Sequence, residues 1–454
     1  MNIQPRGGRT APLKIGLVAF GWSGGNFDGE RAYRKLTEAR AFLSCRGQVV
    51  GPDAVIASAS EGRDAAQLLE REGIDVLIVL QAAFCGAEPL PVLVERLDVP
   101  IALWAIREPF NGGRVVANSL CGVQLMASTL AHLGRRYRYF YGDPEEPAIA
   151  AAVDAFLSAA RVARRLRRLR IGLAGQRAPG FFPLAVDELL LRRQIGPEVV
   201  HIDLTEVFMG QEPSEDEVKA VQEEFLSLVD NAGQVPAEKL YKVSRSLAVF
   251  RRLMRRYDLD CVAVKCWPEF TDGYGVAACS TLSRLGGQGL VAGCEGDING
   301  TVTSFILQEL AGGDPTFLAD LIQVDPDGNT GILWHCGVAP IELAAPGSAV
   351  QFGSEFSGVG MNLEFPLKPG RITVARLGML HGRYRLLVIT GEALPTELLA
   401  KGTMALVRFD PPVQQLVDTI VNGGWEHHVS MVYGDVADAL VELARQLDIE
   451  CVRL

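Results

Sequence analysis

At 454 residues the chain is too long for one hydrophobic core, and its length suggests about three domains. Apolar residues make up 48% and charged residues 22%, an ordinary globular composition, and no run approaches about eighteen uninterrupted apolar residues, which excludes a membrane-spanning helix. The 44 basic against 54 acidic residues leave a net charge of -10, which argues against a nucleic-acid polymer as main partner.

The opening "MNIQPRGGRTAPLK" has no apolar segment ahead of the first strand, so no signal peptide is expected. "KIGLVAFG" (14–21) is a short apolar run ending in Gly and predicts a buried strand. A helix around 29–46, strands at 75–81 and 100–108, and a helical pattern at 117–134 follow. Strands alternating with amphipathic helices imply βαβ units and a parallel sheet. The segment 147–168 predicts a long helix whose basic end (Arg161, Arg164, Arg165, Arg167, Arg168) suits a solvated face at the negative end of the helix dipole.

"LRIGLAG" (169–175) restarts the alternation much as "LKIGLVAFG" (13–21) began it. Helices are expected around 184–193, 213–230 and 236–256, strands at 260–266 and 289–294, and a helix at 299–313 with Val302, Phe305, Ile306 and Leu310 on one face. From about 314, short strands such as "FLADLIQVD", "GILWHCG", "GRITVARLG" and "RYRLLVITG" alternate with turn residues, as in an antiparallel barrel or sandwich. A last αβ piece closes the chain. The expected fold class is therefore α/β: two doubly wound parallel-sheet (Rossmann- or flavodoxin-like) domains, 1–168 and 169–340, then a β-rich, barrel-like domain, 341–454.

Nine cysteines (Cys45, Cys85, Cys121, Cys261, Cys266, Cys279, Cys294, Cys336, Cys451) are scattered singly with no C-x-x-C pair. That pattern suggests reduced thiols in a cytoplasmic protein rather than disulfides or structural zinc. There is no G-x-x-x-x-G-K-[ST] or G-x-S-x-G, and "GWSGGNFDG" (21–29) lacks the dinucleotide fingerprint.

What remains is a scatter of metal-type ligands. Glu295 in "CEGDINGT" (294–301) follows a strand directly, where α/β folds place their ligands, while Asp297 can cap the next helix. Asp320 interrupts an apolar strand, and a buried carboxylate there needs a partner or a metal. "DPDGNT" (325–330) predicts a hairpin turn. His335 lies on a strand beside Trp334; Lys265, Trp267 and Glu269 sit just past another strand end, where aromatic and charged groups suit a sugar. "GGWEHHVS" (423–430) adds His427 and His428. Each residue has an ordinary reading as core, cap or solvated loop. Taken together, a Glu, an Asp and a His make a hard, oxygen-rich site favouring Mn²⁺ or Mg²⁺ over thiolate-bound zinc.

"CEGDINGTVTSFILQELAGGDPTFLAD" with "WHCG", and "HHVSMVYGDVADALVELARQLDIE" near the end, resemble the L-fucose isomerase and L-arabinose isomerase superfamily, most closely over 260–340 and 405–454. The resemblance implies an aldose–ketose isomerase working through an enediol, with a divalent metal, usually Mn²⁺, though Mg²⁺ or Co²⁺ could replace it. It places the metal ligands at Glu295, Asp320 and His428, with Glu295 and Asp320 as the acid/base pair. His427 becomes a contact to the substrate or to the ligands from behind, and His335 is the counterpart of a further histidine in the arabinose branch. It also implies a trimer or hexamer in which Trp22, Gln81 or Trp104 reach a neighbour's sugar. The chain is shorter than typical L-fucose isomerases and lacks an Arg soon after "KIG". Some shorter relatives isomerise other aldoses, including sulfonated sulfoquinovose, which requires a basic residue such as Arg107, Arg114 or Lys265. A non-catalytic sugar-binding protein on the same fold is the alternative of a different class.

Overall fold

The computed structural model describes residues 12–22, 27–110, 112–353 and 359–454. They form two compact units, one ending at Arg164 and the other running from Arg165 to the C-terminus. Part of the glycine-rich stretch 21–29 lies outside the described residues.

The first unit is built on a five-stranded parallel sheet: β1 (Lys14–Phe20), β2 (Gln48–Val50), β3 (Val76–Gln81), β4 (Ile101–Ala105) and β5 (Arg138–Tyr141), in the order β2-β1-β3-β4-β5. β3 and β4 are buried along their whole length. Leu17 and Ala19 join one core and Val18 and Phe20 another, so both faces of the sheet are covered, which explains continuous apolar runs in place of alternation. β2 and β5 have three and four residues, too short for periodicity to signal. Trp104 is a core residue, fully buried with Nε1 donating to the Gly142 carbonyl at 2.9 Å, so in this chain it does not face outward as a sugar contact. Gln81 is also fully buried, its amide donating to the Ala83 carbonyl. Trp22 is exposed.

The basic end of the helix Pro147–Leu166 is less solvated than its sequence suggests. Arg164 pairs with Asp75 at 2.7 Å and Arg161 donates to the Arg46 carbonyl.

The second unit begins with a four-stranded parallel sheet, β6 (Arg170–Ala174), β7 (Glu198–Ile202), β8 (Cys261–Val264) and β9 (Val291–Gly293), in the order β7-β6-β8-β9. The remaining strands are β10 (Phe317–Asp325), β11 (Thr330–His335), β12 (Gln351–Gly353), β13 (Asn362–Pro366), β14 (Gly370–Leu380), β15 (Arg383–Leu394), β16 (Thr403–Phe409), β17 (His428–Tyr433) and β18 (Glu450–Arg453). Six of them, β16-β11-β10-β17-β14-β15, pair antiparallel in sequence around a ring, and a β15–β16 pairing closes it into a barrel. The turn at 326–329 joins β10 to β11 as a hairpin.

The barrel thus takes its first two strands from before residue 340. Asp320 and His335 belong to it and not to the parallel sheet. The physical boundary is where the pattern changes near 314, because the hairpin pairs with β16 and β17 from much later in the chain.

Sheet and barrel share one core, which runs from Phe250 and Val262 through Leu333 to Val374 and Met431. Between them lies the helix Ile298–Leu310. Every residue of it through Gln308 is buried, not only the one apolar face its sequence suggests. Several of its polar side chains find partners within: Thr303 donates to the Asn299 carbonyl at 2.7 Å and accepts from the Leu377 amide, and the Ser304 and Ser430 hydroxyls lie 2.9 Å apart.

Candidate active site

β9 ends at Gly293, and the chain must turn sharply into the central helix. It does so through Glu295 (φ 59) and Gly296 (φ 73). A Cβ at Gly296 would stand 2.3 Å from the Gln176 carbonyl, so only glycine fits. Glu295 has no such excuse. A non-glycine residue in the left-handed region costs about 1–3 kcal/mol and persists where its surroundings fix it. Here the Ala178 amide donates to the Glu295 carbonyl at 3.1 Å and the Gly296 amide to the Val264 carbonyl at 3.0 Å.

Asp297 caps the helix, accepting from the Gly300 amide at 2.8 Å. The cap is only part of its work. Asp297 is fully buried, ion-paired with the equally buried Arg376 (Nη1–Oδ2 2.5 Å), and 2.9 Å from Nδ1 of His428. Burial opposes its ionisation, but the Arg376 charge and the His428 hydrogen bond outweigh that and hold the carboxyl well below the usual range.

An ionised Asp297 makes Nδ1 of His428 the protonated nitrogen, which leaves the lone pair on Nε2. Burial also lowers the His428 pKa against the pull of Asp297, so the ring is neutral. His428 starts β17 in register with Asp320 of β10. Its Nε2 is 3.5 Å from Oε2 of Glu295 and 3.8 Å from Oδ1 of Asp320. Among the described residues, neither Nε2 of His428 nor Oδ1 of Asp320 has a hydrogen-bond partner. His427 brings Nε2 to 3.2 Å from the same Glu295 oxygen, and the ligand atoms of Glu295, His427 and His428 all lie within 4.8 Å of one another. Burial pushes the Glu295 pKa up, but the His427 hydrogen bond and the nearby His428 and His335 rings bring it below its ordinary value.

His335 is buried with its ring centroid 5.3 Å from that of His428. The Cys336 amide donates to its Nδ1 at 2.9 Å, and among the described residues its Nε2 has no partner. Trp267 packs edge-on against Phe181 (5.6 Å), which packs edge-on against His427 (5.1 Å). The Lys265 ammonium is bonded to the Glu269 carboxylate. Arg107 belongs to the first unit, where it forks onto Glu146.

The structure thus gathers Glu295, Asp320, His427, His428 and His335 in the second unit. Asp297 was legible only as a cap. Arg376 was not singled out, although an arginine inside the apolar strand "GRITVARLG" carries the same signal as Asp320 does in its own strand. Phe181 and Arg177, on the loop after β6, carried no signal. The unpartnered Nε2 of His428 and Oδ1 of Asp320 converge on the Glu295 carboxylate, and one imidazole with two carboxylates suits a hard divalent cation; the carboxylate behind His428 orients the ring as the partners of metal-binding histidines do.

Comparison with known proteins identifies the family. Residues 30–167 match the fucose/sulfoquinovose isomerase N-terminal domain, and residues 357–453 match the L-fucose isomerase C-terminal domain. A sulfoquinovose isomerase from Priestia megaterium is 31% identical over 409 residues, covering 88% of this chain and 90% of that one. A second, from Alkalicoccus urumqiensis, is 30% identical over 84% of this chain and 86% of its own. A third, from a Clostridium species, is 30% identical over 97% of this chain and 98% of its own. The chain belongs to the fucose/sulfoquinovose isomerase family and is an aldose–ketose isomerase.

Proposed function

We propose that the enzyme isomerises a sulfonated aldose of the sulfoquinovose type, using a divalent metal, Mn²⁺ by preference, held by Glu295, Asp320 and His428. The observation that carries the metal reading is the unpartnered Nε2 of His428 facing Glu295 and Asp320. When bound, the cation supplies Lewis-acid stabilisation of the negative charge developing on the sugar's O1 and O2. Asp297 fixes the His428 tautomer, and Arg376 keeps Asp297 ionised. Glu295 and Asp320 divide the proton work: one removes the C2 proton to give the enediol, and the other moves the proton between the hydroxyls. A Glu295 pKa below its ordinary value keeps that carboxylate in the basic form at neutral pH. His427, bonded to Glu295, and Trp267, next to Phe181, suit the sugar-facing rim, with His335 behind them. Assembly as a trimer or hexamer is part of the same reading.

The sulfonate rests on a different residue from those the sequence suggests. The Arg177 segment packs directly on Gly296, and the Arg177 guanidinium lies 4.9 Å from the Phe182 ring. Its one hydrogen bond is a 3.3 Å contact to the Ala178 carbonyl, and among the described residues it has no carboxylate partner. Lys265 and Arg107 are already paired with Glu269 and Glu146. An arginine held against an aromatic ring beside the catalytic loop suits a fixed anion.

The test compares kcat/KM for sulfoquinovose and glucose, its neutral counterpart, in the wild type and in Arg177→Ala. The wild type should strongly prefer the sulfonated sugar. Arg177→Ala should cut that preference by about 10–100-fold, the value of a charge-assisted hydrogen bond, and leave glucose unaffected. Equal use of both sugars by the wild type would return the reading to a neutral aldose.

A further inference from the structure

The mechanism leaves unused a row of four buried thiols immediately behind the metal ligands. Cys266 follows β8, Cys294 follows β9, Cys336 follows β11, and Cys279 opens the helix Cys279–Gly287. The Sγ atoms of Cys266 and Cys294 are 3.1 Å apart, and those of Cys279 and Cys336 are 3.4 Å apart. Between these pairs, the ligand atoms of Cys294, Cys336 and His335 all lie within 4.8 Å of one another. Nδ1 of His335 is 3.1 Å from the Cys336 sulfur. None of the four thiols is more than 6% exposed.

A single buried cysteine is an ordinary small apolar residue. Four sulfurs from four separate elements, in contact and completed by an imidazole nitrogen, form a ligand set of a different kind. The missing C-x-x-C spacing does not bear on it, because strand ends and not sequence neighbours bring these sulfurs together.

We infer that this row is a second, soft metal site, in which Cys294, Cys336 and Nδ1 of His335 bind a thiophilic divalent cation such as zinc, with Cys279 or Cys266 as the fourth ligand. A tetrahedral site with Zn–S bonds of about 2.3 Å sets its sulfurs about 3.8 Å apart, between the contact and cluster distances found here. Soft thiolates select zinc or cadmium, whereas Glu295, Asp320 and His428 select harder cations, so the two sites divide metals by type. Each thiolate ligand gives up its thiol proton to solvent on binding, and the cation takes the place of the Cys336 amide on Nδ1 of His335. His335 then links the sites, its ring centroid lying 5.3 Å from that of His428. The inference is independent of which sugar the enzyme uses.

The test loads chelator-stripped wild-type protein with Mn²⁺, adds one equivalent of zinc, and reads the zinc K-edge X-ray absorption. The expected shell has two or more sulfur neighbours at about 2.3 Å. A shell of oxygen and nitrogen alone overturns the inference. In parallel, cadmium is titrated into protein carrying Cys45→Ser and Cys121→Ser, which removes the exposed thiols. The thiolate-to-cadmium ultraviolet band should saturate near one equivalent per chain and vanish when Cys294→Ser and Cys336→Ser are added. A band that survives those changes also overturns it. If the variant does not fold, the wild-type absorption measurement decides alone.

Discussion

In the first unit the carboxyl ends of β3 and β4 run into Gln81 and Ala105, both buried in packed core, with the Gln81 amide tied to local backbone. In the second unit β9 runs into Glu295, a carboxylate in a strained conformation facing ring nitrogens. The two parallel sheets begin with nearly the same letters, "KIGL" and "RIGL", so the difference does not come from the sheet pattern. It comes from what covers the strand ends. In the second unit a barrel strand pair, β10 and β17, delivers Asp320 and His428 in register beside the loop. A parallel sheet offers a place for chemistry, and here a different layer fills it.

The sharpest way to break this comparison is Glu295→Gln. It keeps shape and removes the base, so kcat should fall by about 10²–10⁴-fold with an unchanged circular dichroism spectrum. Turnover near the wild-type rate would mean that the loop is strained for some other reason.

His428→Ala should follow. Removing the ligand itself should weaken Mn²⁺ binding, read by calorimetric titration, beyond the about 10–100-fold typical of losing a partner behind a ligand.

Asp297→Asn tests that partner, with a loss of metal affinity inside that 10–100-fold range. It also leaves the buried Arg376 without its main counter-charge, which costs about 3–5 kcal/mol. Glu426, 3.5 Å from Nε of Arg376, places the expected loss at the lower end. The pH dependence has a definite sign. The Asp297 carboxyl is depressed in the folded state, so its contribution is complete above the unfolded-chain value of about 3.9 and is lost only as pH falls through the lower folded value. Metal-free wild-type protein should therefore lose stability below about pH 4 more steeply than Asp297→Asn does in urea titrations.

The smallest effect belongs to the first unit. Trp22 is 46% exposed and touches Phe84 edge-on, so Trp22→Ala should change stability by less than about 1 kcal/mol and leave kcat unchanged. A raised KM at constant stability would place Trp22 against the sugar of a neighbouring chain.

Much of the fold was legible because its signals are local. The strands at 14–20, 76–81 and 261–264 are continuous apolar runs, and Asn329 (φ 50) ends a turn marked by Pro, Asp and Gly. The short strands β2, β5 and β12 were not, because their three or four residues carry neither a period nor the continuous apolar run that marks β8. The barrel boundary was misplaced for a related reason. Register with β16 and β17 is decided some 70 to 110 residues away, and no window over 317–335 contains it. In the site, Glu295 stood out at a strand end and Asp320 inside an apolar strand, whereas His428 was separated from His427 only by the family resemblance. Asp297 looked complete as a helix cap, and its bonds to Arg376 and His428 exist only in the folded chain. Arg177 looked like any loop arginine. Its distinguishing feature is the absence of a carboxylate among its described neighbours, which a sequence does not encode locally.

The most direct test of the central claim is proton NMR in D₂O of chelator-stripped enzyme with sulfoquinovose, before and after Mn²⁺ is restored, run beside Glu295→Gln. Ketose should appear only after Mn²⁺ is added and only with Glu295 present. Undiminished conversion in the stripped enzyme, or by Glu295→Gln, would contradict it.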